Sequence, residues 1–196
     1  MWCAKEVGGG NEDILSFWRY SFGESKALFL VRDPLFTTRA VLNDRRRKGV
    51  RLPVSDVIHQ VTDPLRTMRR QMRYLDDPDV HFTVYEDLVA DPEREMRKVT
   101  EFLGIAWSPT FTRPSLFGEP VVVRTASQQT TEVFRATTQS WRDGLTEREQ
   151  KIVAIAARIA RSLPHLAVDY EVLRERIARR HAELGPAARP AAVKGT

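Results

Sequence analysis

Two short apolar runs, each ended abruptly by charged residues, constrain the fold of this chain more than any other feature. Lys26-Ala-Leu-Phe-Leu-Val31 leads straight into Arg32-Asp33, and Val80-His-Phe-Thr-Val84 leads into Tyr85-Glu86-Asp87. Nearly continuous apolar runs of this length, without the alternation of a half-solvated strand, read as buried strands of a parallel sheet. Helical patterns lie between and after them: Leu65, Met68, Met72 and Leu75 fall on one face, as do Met96, Val99 and Leu103, and later Ile152, Ile155, Ile159 and Leu163. Strand alternating with amphipathic helix places the chain in the α/β class. The helix after the second strand is the best punctuated, with Asp91 as its cap, Pro92 at its first position, Glu93 in its first turn and Gly104 just past Leu103. Trp107 to Val123 contains Pro109, Pro114, Gly118 and Pro120 and reads as a surface loop.

With 196 residues and 42% hydrophobic content, the chain has enough apolar material for one core. A single domain is expected over 1–184, followed by a flexible basic Ala/Pro tail over 185–196. The formal net charge is +5, but much of the excess lies after Arg174, where only Glu175 and Glu183 are acidic. That distribution weakens the case for a nucleic-acid partner, and none is expected. Arg45-Arg-Arg-Lys48 and the stripe Arg66, Arg69, Arg70 and Arg73 either meet an anionic acceptor or form a solvated helix surface; no aromatics interleave them as a single-strand nucleic-acid platform requires. Cys3 is the only cysteine, which excludes an intramolecular disulfide and a thiol-held zinc, and no metal is expected. No apolar stretch approaches the ~20 residues needed to cross a bilayer, and Met1 to Asn11 lacks the layout of a secretory signal. A cytoplasmic protein without membrane contact is expected.

Chemistry concentrates where the strands end. In open α/β sheets, ligands bind in the crevice outside the carboxyl ends of the strands, which is where Arg32 falls. A guanidinium there suits a phosphate through parallel charge-assisted bonds, and Thr37 and Thr38 are placed to add hydroxyl donors from the next helix. The alternative is a surface bridge between Arg32 and Asp33 or another carboxylate. Tyr85 ends the second strand near the same edge, either lying against a purine or closing the core, with Glu86 and Asp87 capping the next turn.

Taken in order, Leu28-Phe-Leu-Val-Arg-Asp-Pro34, Val84-Tyr-Glu-Asp-Leu-Val-Ala-Asp-Pro92 and Glu101-Phe-Leu-Gly-Ile105 resemble the motif set of sulfotransferases that use 3′-phosphoadenosine 5′-phosphosulfate (PAPS). Ser140-Trp-Arg-Asp-Gly-Leu145 is similar to the tryptophan-basic segment late in those enzymes. The resemblance implies a three-layer α/β sandwich of the P-loop nucleoside-triphosphatase type with a short parallel sheet. It implies transfer of a sulfuryl group from PAPS, without a metal, to a hydroxyl or amine of a small-molecule or glycan acceptor. By the same resemblance Arg32 holds the 3′-phosphate, Tyr85 lies near the adenine, and Arg124 and Arg142 add basic contacts. Lys5 matches the lysine that approaches the transferred group, with a solvated terminal lysine as the alternative, and Glu6 beside it is the candidate base.

Two departures from that pattern stand out. Eight residues after Arg32, where the family carries a serine on the 3′-phosphate, this chain has Ala40. The Gly-rich loop that cradles the 5′-phosphosulfate has no counterpart: Gly8-Gly-Gly10 precedes Glu12 and Asp13 and reads as a turn before a helix. The expected fold therefore has its first strand and P-loop absent, and a second reading follows. It is a truncated, non-catalytic remnant that binds nucleotide weakly or pairs with another chain, for instance as a homodimer through an exposed sheet edge. A third reading is an anion-binding protein working through its basic helices.

Overall fold

The computed structural model describes residues 14–23, 25–50, 52–113, 115–116, 119–120, 123–124, 129–130 and 140–184. Helix α1 (Ile14–Phe22) leads into strand β1 (Ala27–Val31), α2 (Pro34–Arg47) and α3 (Val54–Gln71), and then into strand β2 (Val80–Val84). The two strands are parallel and in register, from Ala27 opposite Val80 to Val31 opposite Val84. The crossover between them is the pair α2 and α3, so the fold is α/β with a short two-stranded parallel sheet. Arg19 of α1 is fixed to the turn before β2 by two hydrogen bonds to the Asp77 carboxylate, at 2.7 and 2.8 Å.

Because side chains alternate along a strand, the register puts Ala27, Phe29 and Val31 on the same face as Val80, Phe82 and Val84. These join one buried cluster with Leu42 of α2, Val57, Val61, Leu65 and Met68 of α3, and Val153 and Ala157 of α6 (Glu147–Ser162). Phe82 is 1% exposed. Burial of a side chain of that size contributes about 2–3 kcal/mol. On the opposite face, His81 meets Phe102 of α5 (Pro92–Leu103) and His181 of α7 (Tyr170–Leu184). The sheet is thus sandwiched between helices over β2, which is buried along its whole length.

Strand β1 departs from the expectation of full burial. Leu28 and Leu30 are 47% and 54% exposed, because α5 and α7 cover β2 and no described element covers the outer face of β1. Helix α6 departs too. It buries Val153, Ala156, Ala157 and Ala160, while Ile155, Ile159 and Leu163 of the expected stripe stand exposed. The helix carries two adjacent apolar stripes, and the one rich in alanine lets it pack closely against α3.

Helix α5 has the expected punctuation: the Asp91 carboxylate accepts from the Arg94 N–H at 3.1 Å, and Gly104 ends the helix at φ 71°. Between β2 and α5, α4 (Tyr85–Ala90) makes a single short step. The expected loop from Trp107 to Val123 holds a 3-10 turn, Pro109–Thr112, and a minimal antiparallel ladder of β3 (Ser115–Leu116) with β4 (Glu119–Pro120). A second such ladder pairs β5 (Val123–Arg124) with β6 (Gln129–Thr130). No helix among the described residues is long and apolar enough to cross a membrane. The segment 185–196, read above as a tail, lies outside the described residues.

Helix α3 contains Pro64, which has no N–H, so the Gln60 carbonyl four residues earlier loses its helical partner. The Thr38 hydroxyl lies 2.9 Å from that carbonyl and 2.8 Å from the Pro34 carbonyl of its own helix. Thr38 is 0% exposed, and its one proton serves these two carbonyls. One hydroxyl of α2 thus repairs the break in α3.

Candidate functional site

The candidate site lies at the carboxyl ends of the two strands. As Val31 pairs with Val84, the residues that follow, Arg32 and Tyr85, become neighbours, and the Arg32 guanidinium sits 4.3 Å from the Tyr85 ring centroid. Asp33 fixes the turn out of β1 by capping α2, its carboxylate accepting from the N–H groups of Leu35 at 2.7 Å and Phe36 at 3.4 Å. Burial raises the Asp33 pKa, opposed by those two N–H groups. Asp33 is therefore committed to the helix, and the surface bridge between it and Arg32 does not form.

The Arg32 Nε is buried and has no hydrogen-bond partner, and the ring of Tyr85 fixes the guanidinium plane without consuming its N–H donors. Arg39, on α2, repeats the pattern: its Nε is buried and unpartnered, and its guanidinium lies 5.9 Å from the Phe36 ring. Burial, and then the charge on Arg32, hold the Arg39 pKa below the usual arginine range, with Asp143 acting in the opposite sense. Among the described residues no carboxylate is paired with either guanidinium, and both Nε atoms lack a hydrogen-bond partner.

The carboxylates beside them are all occupied. Glu86 accepts from the Asp33 backbone N–H at 3.3 Å and from the Tyr170 hydroxyl, which ties the start of α7 to both strand ends. Burial, and then the bond to Glu86, push the Tyr170 pKa well above the usual phenol range, so it acts as a donor. Asp87 accepts from Arg174, one turn further along α7. Glu86 and Asp87 therefore anchor a helix, and Tyr170 and Arg174 are partners that motif reading does not find. A cavity of about 240 Å³ lies beside this anchor, lined in part by Asp33, Leu35, Arg161 and Tyr170. It is smaller than the ~300 Å³ at which ligand pockets begin, and neither Arg32 nor Tyr85 lines it.

Other expected site residues are placed as follows. The Thr37 hydroxyl donates to the Asp33 carbonyl at 3.0 Å. Thr38, expected to offer a hydroxyl to a phosphate, is buried without surface and serves the Pro34 and Gln60 carbonyls. Arg142 is exposed on the turn 140–145, its guanidinium 4.5 Å from the Trp141 ring. That turn is held against α2, where Arg46 donates to the Gly144 carbonyl and to Glu149. Gly144, at φ 75°, has the Asn43 amide 3.0 Å from where a Cβ would stand, so a side chain there is strained. Arg124 lies on β5, its side chain outside the described residues, as do Lys5, Glu6 and the triple glycine at 8–10. On the basic helices, Arg47 and Lys48 pair with Asp44, and Arg66 with Asp63. Arg39, which sequence reading did not single out, is the other arginine whose Nε is buried without a partner.

The architecture is α/β, with an arginine at the end of the first parallel strand. Residues 15–109, from α1 to the turn after α5, match the model of the sulfotransferase family. Among solved structures, the chain is similar to a sulfotransferase domain from the curacin biosynthetic pathway, with a TM-score of 0.50 and 19% identity over 75% of this chain. That likeness is one of fold, and the chain spans 58% of the length of that domain. No curated protein matches the chain. The matched segment is similar to the sulfotransferase family, and the fold, with its short parallel sheet, is like that of a sulfotransferase domain.

Proposed function

We propose that the chain carries the nucleotide-binding part of a sulfotransferase that moves a sulfuryl group from PAPS to a hydroxyl or amine of a small-molecule or glycan acceptor. The observation that carries this reading is the buried, unpartnered Arg32 Nε beside the Tyr85 ring at the ends of two parallel strands. An orphaned guanidinium N–H fits a phosphate oxygen, and an aromatic face fits a purine. When bound, PAPS supplies a sulfuryl group already joined to a good leaving group. Arg32 binds the 3′-phosphate, Tyr85 orients the adenine, and Arg142 and Arg124 add positive charge from the later turns. Lys5 and Glu6 are the catalytic pair of this reading, the lysine taking up charge at the leaving oxygen and the glutamate receiving the acceptor proton.

Calorimetric titration with 3′-phosphoadenosine 5′-phosphate tests it. The parent chain binds, and Arg32→Ala weakens binding by on the order of 2–3 kcal/mol, the loss of a charge-assisted contact. A parent chain that does not bind, or an alanine variant that binds equally well, sinks the reading.

The open face of β1 favours a second reading, a non-catalytic chain that pairs with another copy or another protein over Leu28 and Leu30. Sedimentation velocity separates the two: concentration-dependent association that Leu30→Lys abolishes supports pairing, and a monomer at all concentrations removes pairing between copies.

A further inference from the structure

Helix α7 lies over β2 and is held there by three kinds of contact. At its start, Tyr170 donates to Glu86 and Arg174 to Asp87, the two carboxylates that follow the end of β2. In its middle, Leu173 and Ile177 are buried, at 0% and 2% exposure. Near its end, Arg180 donates to the Asp77 carbonyl, and His181 stacks on His81 of β2 with ring centroids 4.7 Å apart and planes 8° apart. The last contact is the vulnerable one. His81 is 6% exposed, its Nε2 has no hydrogen-bond partner, and Phe102 of α5 lies 5.3 Å from it. The charged groups that face the pair are Lys98 and Glu95 of α5 and Arg180 of α7, and Glu95 is already shared between Arg94 and Lys98. Among the described residues no carboxylate is hydrogen-bonded to either ring. A proton added to one imidazole therefore meets its neighbour and a cation on each of the two helices.

We propose that α7 is an acid-released strap: protonation of the stacked His81 and His181 pair lifts it from β2, and the Tyr170 and Arg174 donors leave the strand-end carboxylates with it. Glu86 also accepts from the Asp33 backbone N–H, so release of the strap loosens the turn that carries Arg32. The device is independent of which ligand the strand ends take. Burial, and then the charge on His181, hold the His81 pKa down to about 4 while α7 is docked, and burial lowers that of His181 as well. Release returns both rings towards the ordinary value, so the released state binds protons more readily. Docking is complete above pH 6.5 and weakens as the pH falls from there towards 4. At 15 residues α7 is marginal as a helix by itself, so a released strap unwinds and exposes its amides.

Amide hydrogen exchange of the full chain, followed by NMR residue by residue and corrected for the intrinsic rate at each pH, tests the strap. The amides of α7 are expected to be less protected than those of β2 and α3 throughout, because they open in a smaller step than global unfolding. Their protection should fall by up to about thirtyfold between neutral pH and about pH 5. His81→Phe keeps a flat ring beside Phe102 and cannot take a proton, so most of that fall should disappear. Tyr170→Phe should lower α7 protection already at neutral pH and keep the acid response. Exchange of α7 in one global step with β2 would overturn the strap, as would an undiminished fall in His81→Phe. Unchanged α7 protection at neutral pH in Tyr170→Phe would overturn its link to the strand ends. Should His81→Phe fail to fold, His181→Phe takes its place, and the order of exchange in the parent decides without any variant.

Discussion

Two regions of this molecule each bury a side-chain nitrogen with no hydrogen-bond partner, and they accommodate it in opposite ways. At the end of β1 and on α2, the Nε atoms of Arg32 and Arg39 are buried without a partner on side chains that are permanent cations. Beneath the sheet, the His81 Nε2 is equally orphaned, and there burial pushes the pKa down to about 4, so that the ring is neutral at ordinary pH. The contrast separates a site from a core. A buried orphan that can shed its charge is tolerated by neutralisation, whereas one that cannot remains a standing demand for an anion.

The largest expected effect is on the histidine side. His81 lies 4.7 Å from His181 in a nearly parallel stack and 5.3 Å from Phe102, with Lys98 of α5 and Arg180 of α7 also facing it and Glu95 facing His181. Burial first, and then the charges of His181, Lys98 and Arg180, lower its pKa from the usual 6.5. A folded-state value below the unfolded one means that the unfolded chain binds the proton more readily. Stability is therefore complete above pH 6.5 and falls as the pH drops from there towards 4. A shift of that size corresponds to about 3 kcal/mol at most. His181 shifts in the same direction and adds to the loss. Urea unfolding at several pH values should show the decline, and His81→Phe should flatten it. An equally steep decline in the variant would show that the acid sensitivity lies elsewhere and would break the contrast between the two regions.

Much of this arrangement is legible in the sequence, and the limits of legibility follow a pattern. The two strands, the caps of α5 and the meeting of Arg32 with Tyr85 depend on local order, because two in-register parallel strands bring their next residues together wherever the chain goes afterwards. The buried face of α6 is not legible. Its isoleucine stripe and its alanine stripe are both apolar, and only the closeness of α3 selects the smaller residues. The open face of β1 is hidden in the same way, since Leu28 and Leu30 read as core until the elements that could cover them are placed. Arg39 is harder still. Its meaning lies in having no partner, which a sequence does not display.

Thr38 gives the smaller effect and shows a third way to satisfy an orphan. Pro64 leaves the Gln60 carbonyl without a donor, and here the remedy is a hydroxyl from a neighbouring helix rather than a ligand or a lost charge. Thr38→Val keeps the shape and removes the donor, leaving two buried carbonyls short of one hydrogen bond. The expected cost is about 1–3 kcal/mol, measured by urea unfolding at neutral pH. In the same background Pro64→Ala restores an N–H to the Gln60 carbonyl, so the double variant should recover much of the loss. Recovery would establish that the hydroxyl is spent on the fold. A neutral Thr38→Val, or one that loses phosphate binding while remaining fully stable, would return Thr38 to the site.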